Sequence, residues 1–202
     1  MDIDQVRLEF MPRGGNDALP KAYRSPAKED AVRHSAVLIV LRQLPDQPLE
    51  LLLTQRAQHL KHHKGQWSFP GGKVEPDETD LDAALRETEE EVGLILSEAD
   101  ILGELEPLYV FGSKNWVRPF VAFTMDAQEL IADPSEVDCC VYVPLSHFLN
   151  PENRGTHRLW FAGHERTVPH WQLPGSDTPL WGATALMLNE LLERLRLQGF
   201  SG

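Results

Sequence analysis

The sequence predicts a mixed α/β sandwich built from a single domain. Apolar runs of strand length recur along the chain, and two long patterns at helical spacing interrupt them. The chain has 202 residues, of which 42% are hydrophobic and 25% charged, as expected for one globular domain. Residues 1–31 are charged and contain scattered proline and glycine. We therefore expect an N-terminal arm over 1–31 and one domain over 32–202.

The predicted strands lie on both sides of the first helix. Residues 35–42 form a continuous apolar run, and residues 49–56 form a second one. The segment 44–48 between them, LPDQP, is typical of a turn, so the two runs predict a hairpin. Further strands are predicted at 101–109, 117–124 and 137–145, and a second hairpin at 158–162 and 167–173 around Gly163.

The last predicted element is a helix that packs one apolar face on the sheet. Asp177 or Thr178 is placed to cap it, and Pro179 suits its first turn. Gly199 follows the pattern as a stop signal. The residues that recur at helical spacing are Leu180, Thr184, Met187, Leu188, Leu191 and Leu195.

Charge excludes some classes of partner. The net charge is −12 and the isoelectric point is near 5.0. A surface of this sign argues against binding to nucleic acid or to an anionic membrane. An anionic ligand would therefore need local basic side chains or metal ions.

The compartment is predicted to be the cytoplasm. Cys139 and Cys140 are adjacent, and neighbouring cysteines rarely meet disulfide geometry, so we expect two reduced thiols. The first ten residues, MDIDQVRLEF, lack the basic and apolar pattern of a signal peptide. The longest apolar runs are too short to span a bilayer, so no membrane partner is expected.

An acidic segment, residues 71–94, contains nine acidic and two basic residues. Thr79 is a candidate N-cap with Asp82 three residues later, and Gly93 is a candidate C-terminal glycine. These signals predict a helix between Thr79 and Gly93. Its core-facing stripe is predicted to be Leu81, Ala84, Leu85, Thr88 and Val92.

Three glutamates of this helix are related by three and four residues and share a face: Glu87, Glu90 and Glu91. We expect this face to point away from the apolar stripe, with Arg86 bracing Glu90 from the side. Taken alone, the cluster is more typical of a solvated acidic surface than of a cation site. A Mg²⁺ or Mn²⁺ ion, which prefers oxygen ligands, would turn the mutual repulsion of the carboxylates into attraction.

Residues 72–94 resemble the Nudix box, G-x5-E-x7-R-E-U-x-E-E-x-G-U, where U is a bulky aliphatic residue. The fixed positions are matched by Gly72, Glu78, Arg86, Glu87, Glu90, Glu91, Gly93 and Leu94. Thr88 departs from the pattern at an aliphatic position, where its methyl group still suits a buried stripe. The resemblance implies a loop–helix–loop on an α/β/α sandwich with a mixed sheet, and metal-dependent hydrolysis of nucleoside diphosphate derivatives.

The resemblance also implies roles for individual residues. The implied ligands of Mg²⁺ or Mn²⁺ are Glu87, Glu90, Glu91 and the carbonyl of Gly71. Glu78 and Arg86 would fix the loop and orient the glutamates. Either Glu87 or Glu136, in the segment before the strand at 137–145, would serve as the general base. Glu136 is equally compatible with an ordinary solvated loop acid.

Residues 52–72 resemble a signature of the coenzyme A pyrophosphatase branch, approximately L-L-T-x-R-[SA]-x3-R-x3-G-x3-F-P-G-G. Its fixed positions are matched by Leu52, Leu53, Thr54, Arg56, Ala57, Gly65, Phe69, Pro70, Gly71 and Gly72. Lys61 stands where the signature has arginine, which keeps the charge and loses the bidentate fork. This resemblance implies cleavage of coenzyme A or its derivatives to 4′-phosphopantetheine and 3′,5′-ADP.

A basic strip precedes the box and would meet the 3′-phosphate of such a substrate. Its members are Arg56, Lys61 and Lys64. The alternative is a solvated turn that is basic by chance. Phe69 is a candidate to stack on the adenine, or else to pack the loop.

Two wider alternatives remain for the function. One is a Nudix hydrolase of another substrate, such as ADP-ribose, a dinucleotide or an oxidised nucleotide. The other is a Nudix-fold binding module without catalysis, which the intact glutamate pattern disfavours because a silent site needs no such set.

Overall fold

The structure is a computed structural model that describes residues 33–161 and 164–197. The N-terminal arm predicted over 1–31 lies outside the described residues, so the division into arm and domain stays a prediction. The strands are β1 (Arg33–Arg42), β2 (Glu50–Arg56), β3 (Trp67–Ser68), β4 (Gly71–Lys73), β5 (Ile101–Glu104), β6 (Leu108–Val110), β7 (Asn115–Thr124), β8 (Val137–Pro144), β9 (Arg154–Phe161) and β10 (His164–Trp171). The helices are α1 (Asp80–Val92), α2 (Leu145–Leu149) and α3 (Gly182–Leu197).

Over the described ranges, eight of the strands form one mixed sheet. Its main order is β3-β2-β1-β7-β5, while β4 pairs with β1, β6 with β7 and β8 with β2. β1 and β7 run parallel along their full length, and the other pairs are antiparallel. β9 and β10 form a separate two-stranded hairpin.

The central strand β1 is covered on both faces, which explains its continuous apolar run. Ala36, Leu38 and Val40 belong to the core cluster that includes residues of α1. Ile39 and Leu41 belong to the opposite cluster, which includes residues of α3. The layers are therefore α1, sheet and α3, and the predicted mixed α/β/α sandwich is confirmed. None of the helices in the described part of the chain is long and apolar enough to cross a membrane.

Both predicted hairpins are confirmed, and one predicted strand is wrong. β1 and β2 pair at Leu41 with Leu51, and β9 pairs with β10, although Gly163 lies outside the described residues. The strand predicted at 101–109 is two strands, β5 and β6. Between Glu104 and Leu108 the chain advances four residues, while the facing stretch of β7 advances three. The extra residue breaks the ladder, and Pro107 has no N–H to repair it.

The predicted start of the last helix is also wrong. α3 begins at Gly182, because Leu180 is still extended and exchanges two backbone hydrogen bonds with Trp171, at 2.8 and 2.9 Å. Gly182 then adopts a positive φ of 68°. The predicted apolar face is nevertheless buried, from Leu180 to Leu195, while Gly199 lies outside the described residues.

Candidate active site

The acidic helix α1 has the predicted boundaries. The Thr79 hydroxyl accepts from the Asp82 N–H, and the Thr79 N–H donates to the Asp82 carboxylate, both at 3.1 Å. Gly93 ends the helix with φ 70° and donates to the Glu89 carbonyl at 2.8 Å. These caps satisfy backbone groups that the helix ends leave open, so local sequence fixes the residues at which α1 begins and ends.

The expectation that the glutamate face points away from the core is wrong for Glu91. Its side chain is buried, and its Oε2 accepts a hydrogen bond of 3.1 Å from the Gly71 N–H of β4. At about 100° per residue, Glu91 lies only about 20° around the helix from Ala84, which faces the core. Glu91 therefore flanks the buried stripe and enters the gap between α1 and β4.

The guanidinium of Arg86 holds the other acids of the box. It forms two hydrogen bonds with Glu78, of 2.8 and 3.1 Å. Its Nη1 donates to Glu87 at 3.0 Å and to Glu90 at 2.9 Å, which confirms the predicted bracing. The Glu87 side chain is 16% exposed and that of Glu90 is 58% exposed. A single planar fork thus fixes the loop before α1 and two carboxylates on it.

Burial sets the electrostatics of this cluster. It raises the pKa of Glu91 to about 7, and repulsion from Glu87 and Glu136 adds to the rise, against the Gly71 hydrogen bond and the charge of Arg56. Burial also raises the pKa of Glu87, against the hydrogen bond and charge of Arg86. Two carboxylates are therefore costly as anions where they stand, and a cation between them would remove that cost.

Two glycines bring the backbone close to these carboxylates. A Cβ on Gly72 would lie 2.3 Å from Cδ and Oε2 of Glu87. Gly71 has φ 145°, and a Cβ there would lie 2.3 Å from the Ala36 carbonyl oxygen. The donors that the structure places here are carboxylate oxygens, which suit a hard divalent cation.

The carboxylates of Glu87, Glu90 and Glu91 do not point to a common position. Within 33–161 and 164–197, no three histidine, cysteine, aspartate or glutamate side chains are gathered as a ready metal site. Glu87 and Glu90 point to Arg86, while Glu91 points to the Gly71 N–H. The set fits a divalent ion by its chemistry and requires side-chain rotation to surround one.

The structure brings Glu136 to the same cluster. The segment before β8 is tied to the end of α1, where Asp133 N–H donates to the Glu91 carbonyl at 3.0 Å and Ile131 N–H to the Val92 carbonyl at 2.8 Å. The Glu136 carbonyl accepts from the Ala57 N–H at 2.8 Å. The Glu136 side chain is exposed, and its charge helps to raise the pKa of Glu87 and of Glu91.

The residues predicted to bind substrate lie in three different environments: at the site, in an exposed loop and in the core. Arg56 ends β2, and its charge lowers the pKa of Glu91, which places it at the site. Lys61 and Lys64 are exposed in the loop between β2 and β3. Phe69 as a stacking platform is wrong: the ring is 2% exposed and belongs to the core cluster on the α3 side. Phe69 packs the protein interior because it lies between two short strands that pair with the central strands.

Charged residues that sequence reasoning missed join α1 to the sheet. Arg118 of β7 donates to Asp80, the first residue of α1, at 3.1 Å. It also donates to Glu104, the last residue of β5, at 2.7 Å. The partners lie 38 and 14 residues from Arg118 in the chain, so local patterns carry no signal of the contact.

Comparisons with known proteins agree with this geometry. A family model described as the NUDIX domain matches residues 32–164. A probable nudix hydrolase of Schizosaccharomyces pombe is 36% identical over 156 residues, which cover 74% of this chain and 52% of that protein. The match thus spans about half the length of the yeast relative. The mitochondrial coenzyme A diphosphatase NUDT8 of Homo sapiens is 39% identical over 166 residues, covering 80% of this chain and 69% of that protein.

Solved structures show the same fold at lower sequence identity. The crystal structure of a MutT/nudix family protein from Enterococcus faecalis has a TM-score of 0.61 and 20% identity, and the match covers 97% of this chain and 74% of that one. At this identity the likeness concerns the fold. The matched domain, the box residues on a capped helix and the identity to these relatives lead to one assignment: the chain belongs to the Nudix hydrolase family.

Proposed function

We propose that this chain is a metal-dependent diphosphatase that cleaves coenzyme A or its derivatives to 4′-phosphopantetheine and 3′,5′-ADP. The observation that carries the proposal is the carboxylate pair of half-buried Glu87 and buried Glu91 beside the Gly71–Gly72 backbone, next to a basic loop. The signature in residues 52–72 and the similarity to a coenzyme A diphosphatase support the choice of substrate. A cytoplasmic location stays a prediction.

The residues that would hold Mg²⁺ or Mn²⁺ are Glu87, Glu90, Glu91 and the carbonyl of Gly71. A divalent ion held there would neutralise diphosphate oxygens and lower the pKa of a bound water, so that a base could generate the attacking hydroxide near neutral pH. Glu87 and Glu90 would exchange their hydrogen bonds to Arg86 for the ion, and the two bonds of Arg86 to Glu78 would remain. Arg86 then stays in place as the support of the loop.

The remaining steps belong to side chains around this set. A carboxylate at the edge of the site, Glu136 or Glu87, accepts the proton of the attacking water. Arg56 lies beside Glu91 and meets the negative charge of the diphosphate. Lys61 and Lys64, exposed in the adjoining loop, meet the 3′-phosphate of coenzyme A.

A substrate panel tests the proposal. The full chain with Mn²⁺ is incubated with coenzyme A, dephospho-coenzyme A, ADP-ribose, a dinucleoside polyphosphate and an oxidised nucleoside triphosphate, and products are separated by chromatography. We expect coenzyme A to be converted fastest, to 4′-phosphopantetheine and 3′,5′-ADP, and EDTA to abolish the conversion. Turnover of ADP-ribose with intact coenzyme A would contradict the substrate, and turnover in EDTA would contradict the metal.

The basic loop yields a second prediction. Lys61→Ala and Lys64→Ala are expected to raise KM for coenzyme A by about 5–10-fold each, because each removes one charge from the 3′-phosphate site. Dephospho-coenzyme A lacks that phosphate, so its KM should change less than 2-fold. Arg196→Ala, which removes an exposed charge from α3 on the opposite face of the sheet, is the control. Equal effects on the two substrates would exclude a 3′-phosphate contact.

A further inference from the structure

Arg118 links the start of α1 to the sheet through two ion pairs. Its Nη1 lies 3.1 Å from Asp80 Oδ2, and its Nε lies 2.7 Å from Glu104 Oε2. The side chains of Asp80 and Glu104 are only 17% and 20% exposed. Both carboxylates raise the pKa of Arg118, so it stays charged at any working pH. One guanidinium therefore ties the first residue of α1 to β5 and β7.

Arg118 is itself held from the α3 side of the sheet. The Glu104 carbonyl accepts a hydrogen bond of 3.3 Å from Arg194 of α3. Arg194 is paired at 2.6 Å with Glu190, which also accepts the Glu106 N–H at 3.1 Å. Arg194 and Glu190 are both buried. The backbone of Glu104 is thus held by α3, and the side chain of Glu104 in turn holds Arg118, which is bonded to Asp80 of α1.

Asp80 lies on the same side of α1 as Glu87 and Glu91. Glu87 and Glu91 follow Asp80 by seven and eleven residues, which places both within about 20° of it around the helix axis. A side-chain end lies about 5–6 Å from that axis, so a rotation of about 10° moves a carboxylate by about 1 Å. Metal ligands tolerate about 0.2 Å. A small rotation of α1 about its axis would therefore move the glutamate carboxylates by more than metal–ligand distances tolerate.

Small side chains make the fully buried contacts of the first half of α1. These are Ala83 and Ala84, with Leu81 and Leu85 partly buried beside them, while Thr88 and Val92 are buried further along the helix. Alanine side chains form shallow ridges that interlock little with the surface beneath them. A polar contact with fixed geometry, such as the one between Asp80 and Arg118, supplies a restraint that these methyl groups lack.

We infer that Arg118 is a positioning residue which, through Asp80, sets the rotation of α1 and so aims Glu87 and Glu91 at the metal position. The inference rests on the proposed metal role of these glutamates. Arg118 reaches the site only through the helix, since its described contacts are with Asp80, Glu104 and the ring of Phe120.

The test measures Mn²⁺ affinity directly, by the electron paramagnetic resonance signal of free Mn²⁺ titrated with the full chain. Asp80→Asn and Arg118→Met are each expected to raise the Kd for Mn²⁺ by about 5–10-fold. The double variant should be no weaker than either single one, because both remove the same contact. Asp80→Glu, which keeps a carboxylate within reach of Arg118, should restore most of the affinity.

Two control variants separate positioning from stability. Glu50→Gln breaks the Arg42–Glu50 pair, which joins β1 to β2 at 2.7 Å and leaves Glu50 17% exposed, the same as Asp80. Asp82→Asn removes another acid from the first turn of α1, one whose partner is Thr79 rather than the sheet. Both are expected to change the Kd by less than 2-fold, at a temperature where circular dichroism shows every variant folded.

The outcomes distinguish this inference from the function beneath it. If the wild type binds Mn²⁺, Glu91→Gln does not, and Asp80→Asn behaves like Glu50→Gln, the positioning role is overturned and the proposed function stands. If the wild type shows no Mn²⁺ binding that depends on Glu91, the proposed function is overturned and the inference with it.

Discussion

Glu91→Gln is expected to lower kcat for diphosphate hydrolysis by about 10³-fold and, at the same time, to stabilise the metal-free protein at pH 8. The loss of activity follows from the loss of an anionic ligand in the set that would hold the divalent ion. The gain in stability follows from the buried charge. Burial raises the pKa of the Glu91 carboxyl to about 7 in the folded protein, from 4.5 for a free glutamate, so ionising it opposes folding.

The upward shift of the Glu91 pKa defines the pH range over which the protein loses stability. A carboxyl whose pKa is raised by folding leaves stability unaffected below the unfolded value and reduces it as pH rises from about 4.5 past 7. At pH 8 the reduction in the unfolding free energy is about 3 kcal/mol, and an uncharged glutamine does not cause it. Urea unfolding in EDTA should therefore show Glu91→Gln more stable than the wild type at pH 8, and the two similar near pH 4.

The control for this prediction is Glu89→Gln, which changes an exposed glutamate of the same helix. It should keep both the activity and the stability of the wild type. Added Mn²⁺ should raise the unfolding free energy of the wild type and of Glu89→Gln, because the ion binds only the folded site. A Glu91→Gln variant that retains full kcat, or that is less stable than the wild type at pH 8, would contradict the role of this carboxylate.

Gly72→Ala is expected to lower activity with little loss of stability, whereas Gly71→Ala is expected to destabilise the fold. The added Cβ at Gly72 would lie 2.3 Å from the Glu87 carboxylate, the far end of a flexible side chain. The protein can relieve this contact by moving Glu87, so the fold should remain while kcat falls by about 10²-fold. The unfolding free energy should change by less than about 1 kcal/mol.

At Gly71 the added Cβ would meet backbone, at 2.3 Å from the Ala36 oxygen and 2.6 Å from the Val37 Cα. The φ of 145° is also one that alanine rarely adopts. We expect a loss of about 3 kcal/mol in unfolding free energy, measured by urea denaturation in parallel with kcat for both variants. Equal stability losses in the two variants would show that the closeness of Gly72 to Glu87 is not the cause of the lost activity.

Structural features that depend on residues close together in the chain could be predicted from the sequence. The capping box of Thr79 and Asp82 and the terminal Gly93 fix α1 by hydrogen bonds within the segment itself. The apolar run of β1 likewise predicts a strand covered on both faces. In each case the residues that determine the element lie within that element or at its ends, so their pattern can be recognised in the sequence.

Features that depend on distant partners could not be predicted. The burial of Glu91 requires β4 beside α1, and the break between β5 and β6 requires the register of β7. The late start of α3 has a similar cause, since Trp171 holds Leu180 in an extended pairing against its local preference for a helix. Tertiary contacts override local signals at these positions.

The parallel pairing of β1 with β7 has a consequence for how the protein folds. Residues 43–114, which lie between the two strands, contain α1 and five shorter strands. Closing so long a loop costs chain entropy before any contact is made, and proteins rich in such distant contacts fold slowly. We therefore expect the pairing of β1 with β7 to be a late step in refolding.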